Sequence, residues 1–453
     1  MIRKYLVHLV PAVFCAVFLT FQHAASVDIP EGQAAPGLDS PANVPTGQTE
    51  AEQAGREAIG AEVFGREGGY LHPFLFLDAR YTDNLYYTNT GEVEDFILSA
   101  APGLWLAVPG NREQLLKLQT ANTAPGGLRV SRMKPAPIRR MQTYLMYSPE
   151  LVKFTEESEN DHVAHRAEGL FQYNLDLGLS LDLMDQFKNR YEINNNATGN
   201  LDEYYDNLAS FIATYTPSDK FKLRLDYSNY WLDYDDSAND FRDRSDNSIA
   251  AYIFYRAKPK TSVFVEYEFA DIRYDKAAAL DSQEDRYYAG IDWEVTAKSR
   301  GRAKVGYIEK AFDERSFGDQ DGFSVEVQAQ HNFTPKQAAS LNVYRSYRES
   351  SIPAAYTSLT TGIDLSLLQR FNPKWSGALN ALFYRDEFEG ELTVAGKRRE
   401  RQDDTLRIGP ALIFEPRDWG KFELGYYFSY RDSNFDIYDF ENSTVYFSVE
   451  LAL

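Results

Sequence analysis

From Leu71 to the last residues, apolar and polar positions alternate with a period of two. Phe221, Leu223, Leu225 and Tyr227 share one face, and Lys222, Arg224, Asp226 and Ser228 the other. Val263, Val265, Tyr267 and Phe269 alternate with Phe264, Glu266, Glu268 and Ala270. Ile291, Trp293 and Val295 alternate with Asp292 and Glu294. Phe422, Leu424, Tyr426, Phe428 and Tyr430 alternate with Glu423, Gly425, Tyr427, Ser429 and Arg431. Val445, Phe447, Val449 and Leu451 alternate with Thr444, Tyr446, Ser448 and Glu450. A period of two is that of a strand with one apolar and one polar face. The alternating runs last roughly 10 to 15 residues, about twice the length of an ordinary globular strand.

The connections alternate as well. Short turns at 216–220, 258–260, 297–300, 334–337, 372–374 and 415–420 recur about every 40 residues. Between them lie longer polar loops at 233–246, 275–285, 313–322, 349–355, 386–404 and 433–439. Each repeat therefore reads strand, long loop, strand, short turn. A period near 40 also fits a propeller blade, but a blade holds four short strands with Gly-His and Trp-Asp signatures, which are not found here. Short turns on one rim and long loops on the other predict an all-β fold, a transmembrane antiparallel up-and-down β-barrel with short periplasmic turns. The pattern counts about 18 strands, with 16 as the alternative. An even count puts both termini on the periplasmic side. A barrel of that size leaves an aqueous lumen.

Composition first pulls the other way. The 453 residues carry a net charge of −20 and a single cysteine, and mean hydropathy is −0.46. An acidic chain is repelled by phosphate backbones, so no nucleic acid is expected as partner. One cysteine excludes a disulfide scaffold. Beyond the first 25 residues no apolar run is long enough for a membrane helix, which needs about 20 residues. Yet there are 31 Tyr and 29 Phe. A barrel resolves the conflict, because only every second residue meets lipid and averaging hides the span. Surplus Tyr and Phe then belong to interfacial girdles.

The first residues predict an export signal. Arg3 and Lys4 precede a mostly apolar run to Phe21, and Ala24 and Ser26 are placed for cleavage. Residues 1–26 are read as a signal peptide. Residues 27–69 are rich in Pro, Gly, Ala, Gln and Glu, and are read as a disordered periplasmic linker. Residues 70–453 are read as an outer-membrane barrel of a Gram-negative cell, with lipid and lipopolysaccharide as neighbours. Cleavage would leave 45 basic and 67 acidic side chains and no cysteine.

One stretch inverts the charge. Residues 111–140 fall where a short periplasmic turn is due. They hold Arg112, Lys117, Arg129, Arg132, Lys134, Arg139 and Arg140 against Glu113 alone, a net of +6. These are candidates for docking a periplasmic polysaccharide-export component or gating the mouth; a disordered, merely solubilising loop is the alternative.

If the apolar registers face lipid, the polar registers line the lumen. Its candidates are Lys222, Arg224, Glu266, Glu268, Asp292, Glu294, Arg302, Lys304, Arg407, Glu423 and Arg431, with Lys310 near them. Acidic and basic columns alternate, so cross-strand pairs such as Glu294 with Arg302 are expected. Charged rings set pore selectivity, though pairs of this kind also simply neutralise one another. Inward Tyr252, Phe254, Tyr288, Tyr344, Tyr384, Tyr427 and Tyr446 either stack on sugars or pair with glycine across strands. The acidic loops, among them Asp233, Asp235, Asp236, Asp240, Asp243 and Asp246, either bridge cations or are merely solvated. His162 and His165 at the outer rim make no recognisable site, and no nucleophile motif or phosphate loop occurs. No enzyme, catalytic residue, cofactor or metal is predicted.

The residues Tyr81-Thr-Asp-Asn-Leu-Tyr, followed by Asp95-Phe-Ile-Leu-Ser-Ala-Ala-Pro-Gly-Leu, resemble the opening of the putative β-barrel porin 2 family. The resemblance rests on Thr82, Asp83, Asn84, Pro102, Gly103, Leu104 and Leu106. It departs at the 111–140 insertion. Members of that family are outer-membrane barrels, many beside exopolysaccharide operons. The resemblance thus implies a porin-like channel and an exopolysaccharide conduit with passive passage. A diffusion porin for small solutes, and a structural or adhesion barrel with a blocked lumen, are the other readings.

Overall fold

The computed structural model describes residues 70–108, 120–122, 128–130, 140–193, 201–296, 298–350, 352, 355–417 and 419–452. The signal peptide and linker expected at 1–69 lie outside them. Twenty strands occur among the described residues: β1 (Leu71–Thr82), β2 (Asp95–Val108), β3 (Thr120–Asn122), β4 (Leu128–Val130), β5 (Met141–Phe154), β6 (His162–Asn174), β7 (Leu179–Ile193), β8 (Leu201–Ser218), β9 (Phe221–Tyr234) and β10 (Arg244–Lys258); then β11 (Thr261–Tyr274), β12 (Ser282–Thr296), β13 (Ser299–Phe312), β14 (Gln320–Thr334), β15 (Gln337–Glu349), β16 (Thr357–Arg370), β17 (Trp375–Val394), β18 (Lys397–Arg417), β19 (Gly420–Ser433) and β20 (Phe440–Ala452). β3 and β4 pair only with each other. The other eighteen form one antiparallel sheet, each strand beside its sequence neighbour, with β2 beside β5. β1 also pairs β20, from Phe74 opposite Ala452 to Thr82 opposite Thr444, and this closes the barrel.

The two rims differ as the alternation requires. β8–β9, β10–β11, β12–β13 and β14–β15 are joined by two-residue turns. β1 starts and β20 ends at this same rim. At the other rim, four loops carry a short 3-10 helix: Ser158–Asn160, Ser237–Arg242, Ala278–Leu280 and Asp436–Tyr438. Each helix is followed by an aspartate that turns back to the strand just left. Asp161 accepts from the Phe154 N–H, Asp243 from Tyr234, Asp281 from Tyr274 and Asp439 from Ser433, at 2.7–2.9 Å. These carboxylates latch loop to strand.

The expected loops 275–285, 313–322 and 349–355 are shorter, since β12 starts at Ser282, β14 starts at Gln320 and β15 ends at Glu349; two further loop expectations need correcting. The span 386–404 is not a loop: β17 and β18 continue to a tight turn at Ala395 and Gly396, both with positive φ. A β-branched residue would be strained in that turn. The extension is stabilised by an apolar cluster of Phe388, Leu392, Ile352, Ala355 and Phe435. Asp246 is not in a loop either. It lies in β10, fully buried, with Arg244 Nε 3.2 Å from its Oδ2.

The faces follow the pattern. Outward positions such as Leu183, Val265, Val305, Leu424 and Phe447 are exposed aliphatic or aromatic side chains. Exposed aromatics sit at two levels. Tyr215, Phe221, Tyr255, Phe333, Phe371 and Trp419 lie by the short turns; Tyr81, Trp231, Tyr267, Tyr287 and Tyr430 lie toward the long loops. Tyr267 donates to Asp285 at 2.6 Å and Tyr227 to Asn247 at 2.9 Å, which keeps the hydroxyls satisfied. Along β9, the ten steps from Phe221 to Trp231 at about 3.3 Å each, with a tilt near 40°, give a band of roughly 25 Å. That matches an outer-membrane hydrocarbon layer.

Candidate functional site: the interior wall

The buried polar positions of the strands form the inner wall. Arg224, Glu266, Glu268, Lys304, Arg407, Glu423 and Arg431 are buried there, and Lys222, Asp292 and Arg302 are partly exposed. Glu294 lies in β12, and its side chain is outside the described residues. The register sets Asp292, not Glu294, opposite Arg302, and Arg302 Nη2 donates to Asp292 Oδ2 at 3.0 Å. Lys304 meets Glu266 at 2.5 Å. Arg224 donates through Nε to Asp226 at 2.6 Å. Lys421 lies 3.0 Å from Glu423, and Arg407 donates to Ser429 at 2.9 Å. Tyr446 donates its hydroxyl to Glu423 at 2.8 Å.

The densest part of the wall joins β10, β11, β12, β13 and β15. Lys310 lies 3.1 Å from Glu284 and 2.6 Å from Glu349, all three fully buried side chains. Arg286 donates through Nε to the other Glu284 oxygen at 2.9 Å and lies 3.8 Å from Glu268. Tyr274 donates its hydroxyl to Glu349. Arg244 and Asp246 flank this group. A second buried pair, Arg401 with Asp403, packs under Tyr438 and Phe388. Lys310 was visible in the alternation. Arg244, Asp246, Glu284, Glu349, Arg401 and Asp403 were hidden because their segments read as polar loops.

Inward aromatic rings lie flat on glycines of the neighbouring strand. Tyr344 faces Gly362, Tyr288 faces Gly306, Phe264 faces Gly290, and Tyr446 faces Gly425. A Cβ at any of these glycines would overlap the ring. The rings therefore follow the wall instead of filling the lumen, and each covers backbone that glycine leaves bare. Gly362→Ala is expected to cost about 1–3 kcal/mol through overpacking. Adding Tyr344→Ala should recover much of that loss. Urea unfolding of the two variants in detergent micelles checks it; equal midpoints for the single and double variants would refute the contact.

The docking candidates are mostly out of view. Arg112, Lys117, Arg132, Lys134 and Arg139 lie outside the described residues. Arg129 lies in β4, opposite Ala121, and its side chain is outside them. Arg140 directly precedes β5 and donates through Nε to the Tyr173 hydroxyl at 3.2 Å. At the long-loop rim, His162 stacks on Tyr191 at 3.7 Å, and His165 meets the Tyr147 hydroxyl at 3.0 Å. Lys276 meets Asp240, and this raises its pKa. Burial raises the Asp243 carboxyl, partly offset by the Tyr234 N–H. Among the described residues, no group of three or more His, Cys, Asp or Glu is arranged to hold a metal.

Solved structures similar to this chain include Pseudomonas aeruginosa OpdK with vanillate, at TM-score 0.46 and 9% identity over 85% of this chain and 100% of that one. P. aeruginosa OccK11 (OpdR) matches at 0.41 and 12% over 86% and 99%. The siderophore receptor PirA of the same organism matches at 0.40 and 7% over 85% and 80%. Likeness at these levels carries neither substrate nor mechanism across. No curated protein matches. The family described as putative beta-barrel porin 2 matches residues 64–453. With the closed 18-stranded barrel, its lipid-ready exterior and its charged inner wall, the chain belongs to that family of porin-like outer-membrane barrels.

Proposed function

We propose that the barrel is an outer-membrane conduit for exopolysaccharide secretion, working by passive passage along the charged inner wall. The observation that carries this reading is the pairing on that wall. Buried guanidinium and ammonium groups meet carboxylates on the next strands, and the tyrosine rings lie flat. The wall is polar yet largely self-neutralised, which suits a long hydrophilic cargo that must slide without being held. The family adds the exopolysaccharide context stated above, and the basic 111–140 segment supplies a docking element on the short-turn rim, read as periplasmic. β1 starts and β20 ends at that rim.

Deletion of 112–139 tests the reading. Secretion should be abolished in cells while single-channel conductance of the purified barrel persists. A deletion that leaves secretion intact removes the docking role. A barrel that passes salt and small sugars but whose complete loss leaves secretion unchanged is a diffusion porin instead.

A further inference from the structure

We propose that the short-turn mouth of the barrel holds a binding site for a carboxylated saccharide chain, built from Lys222, Arg256 and Arg302 over a floor of Phe254 and Phe264. The choice of cargo rests on the conduit reading above; the geometry does not.

Cross-strand register assembles the site. On the inner face, Lys222 of β9 lies opposite Phe254 of β10, and Phe254 opposite Phe264 of β11. Phe264 lies over Gly290 of β12, and Asp292 sits opposite Arg302 of β13. The two phenyl rings pack 5.1 Å apart. Lys222 Nζ stands 4.0 Å from the Phe254 centroid, and the Arg302 guanidinium 5.9 and 5.5 Å from the two rings. Arg256 follows Phe254 on the same face and is exposed. All of these residues lie within about one and a half turns of strand pleat from the short-turn rim, a few residues at about 3.3 Å each.

An aromatic floor holds a cation in place without cancelling its charge, because the ring offers a quadrupole and not a counter-ion. Lys222 and Arg256 form no ion pair with any described residue. Arg302 shares one carboxylate, Asp292. The neighbouring cations are already matched: Arg224 with Asp226, and Lys304 with Glu266. The flanking turns add Lys220, Lys258 and Lys260 against Asp219. Even with Glu294 of β12 counted, the mouth keeps a positive excess. It spans five adjacent strands, β9 to β13, or roughly 19 Å at about 4.8 Å per strand. A single small anion cannot bridge that distance. An extended chain bearing a carboxylate on several sugar units can, with guanidinium groups offering paired N–H donors to each.

Calorimetric titration of the full-length barrel in detergent with oligogalacturonate tests this, with maltooligosaccharide of equal length and inorganic phosphate as parallel titrants. Oligogalacturonate should bind in a salt-sensitive manner, at least about tenfold more tightly than either other titrant. The Lys222→Gln/Arg256→Gln double variant should lose about tenfold in affinity, and Lys222→Arg/Arg256→Lys should retain it. Heat-modified gel mobility confirms that each variant is folded. Equal affinity for the neutral oligosaccharide, phosphate binding as tight as the oligomer, or unchanged affinity in the Gln variant overturns the site. Oligosaccharide flux through liposomes holding the same protein separates the two readings. Binding without flux refutes the conduit and keeps the site; flux with unaltered binding in the Gln variant refutes the site alone.

Discussion

Lys310→Met is expected to lower the unfolding free energy of the barrel by about 3–5 kcal/mol, the usual penalty for stranding a buried partner. Lys310 reaches Glu284 and Glu349 together, and none of the three side chains meets solvent. Removing the ammonium leaves Glu349 with only the Tyr274 hydroxyl as a donor among these contacts. Glu284 keeps Arg286 and suffers less. The loss should therefore be asymmetric. Adding Glu349→Gln to Lys310→Met should recover a large part of it, whereas adding Glu284→Gln should recover little, because that change unpairs Arg286. Urea-induced unfolding in micelles, followed by tryptophan fluorescence, reads all three proteins. A Lys310→Met midpoint equal to that of the parent would show that the network adds nothing to stability.

Asn84→Ala should cost about 2–3 kcal/mol, the sum of a few buried hydrogen bonds at about 1 kcal/mol each. The Asn84 amide is fully buried. Its Nδ2 donates to the carbonyls of Thr88 and Glu441, both at 2.8 Å, and its Oδ1 accepts the Thr88 N–H at 3.0 Å. Around it, Asn442 donates to Thr82 Oγ1 at 2.6 Å and to the Asn84 carbonyl at 2.9 Å. Asp83 accepts the Ser443 N–H at 2.7 Å. Thr82, Asp83 and Asn84 thus tie the first strand to the last. Hydrogen exchange should rise selectively in β1 and β20, with β9 to β13 unchanged. A uniform rise across all strands would mean that Asn84 does not act at the closure.

That motif shows what sequence could and could not convey. Thr82-Asp83-Asn84 was legible as a family mark, but its partners lie some 360 positions away, and only the closed fold brings them together. Strand number was legible because each strand needs only its own alternation to declare itself, as in 221–234 or 440–452. The β17–β18 extension was not. Residues 386–404 look polar along the chain, and their strand state depends on Phe388 and Leu392 meeting Ile352 and Phe435 from other loops. The wall charges could be named from parity alone. Their partners could not, since a slip of two residues decides between Asp292 and Glu294 for Arg302. Tyr344 and Gly362 gave no local sign of their pairing for the same reason.

Closure by β1 and β20 also limits how such a protein can be regulated. Each of the eighteen barrel strands is committed on both edges, so none can leave, join or slide without breaking a ladder of main-chain hydrogen bonds. The circumference is therefore a constant of the fold, not a variable. Any change of shape is therefore confined to the connections at the rims, of which the tall β17–β18 hairpin, held by its apolar cluster, is the largest among the described residues.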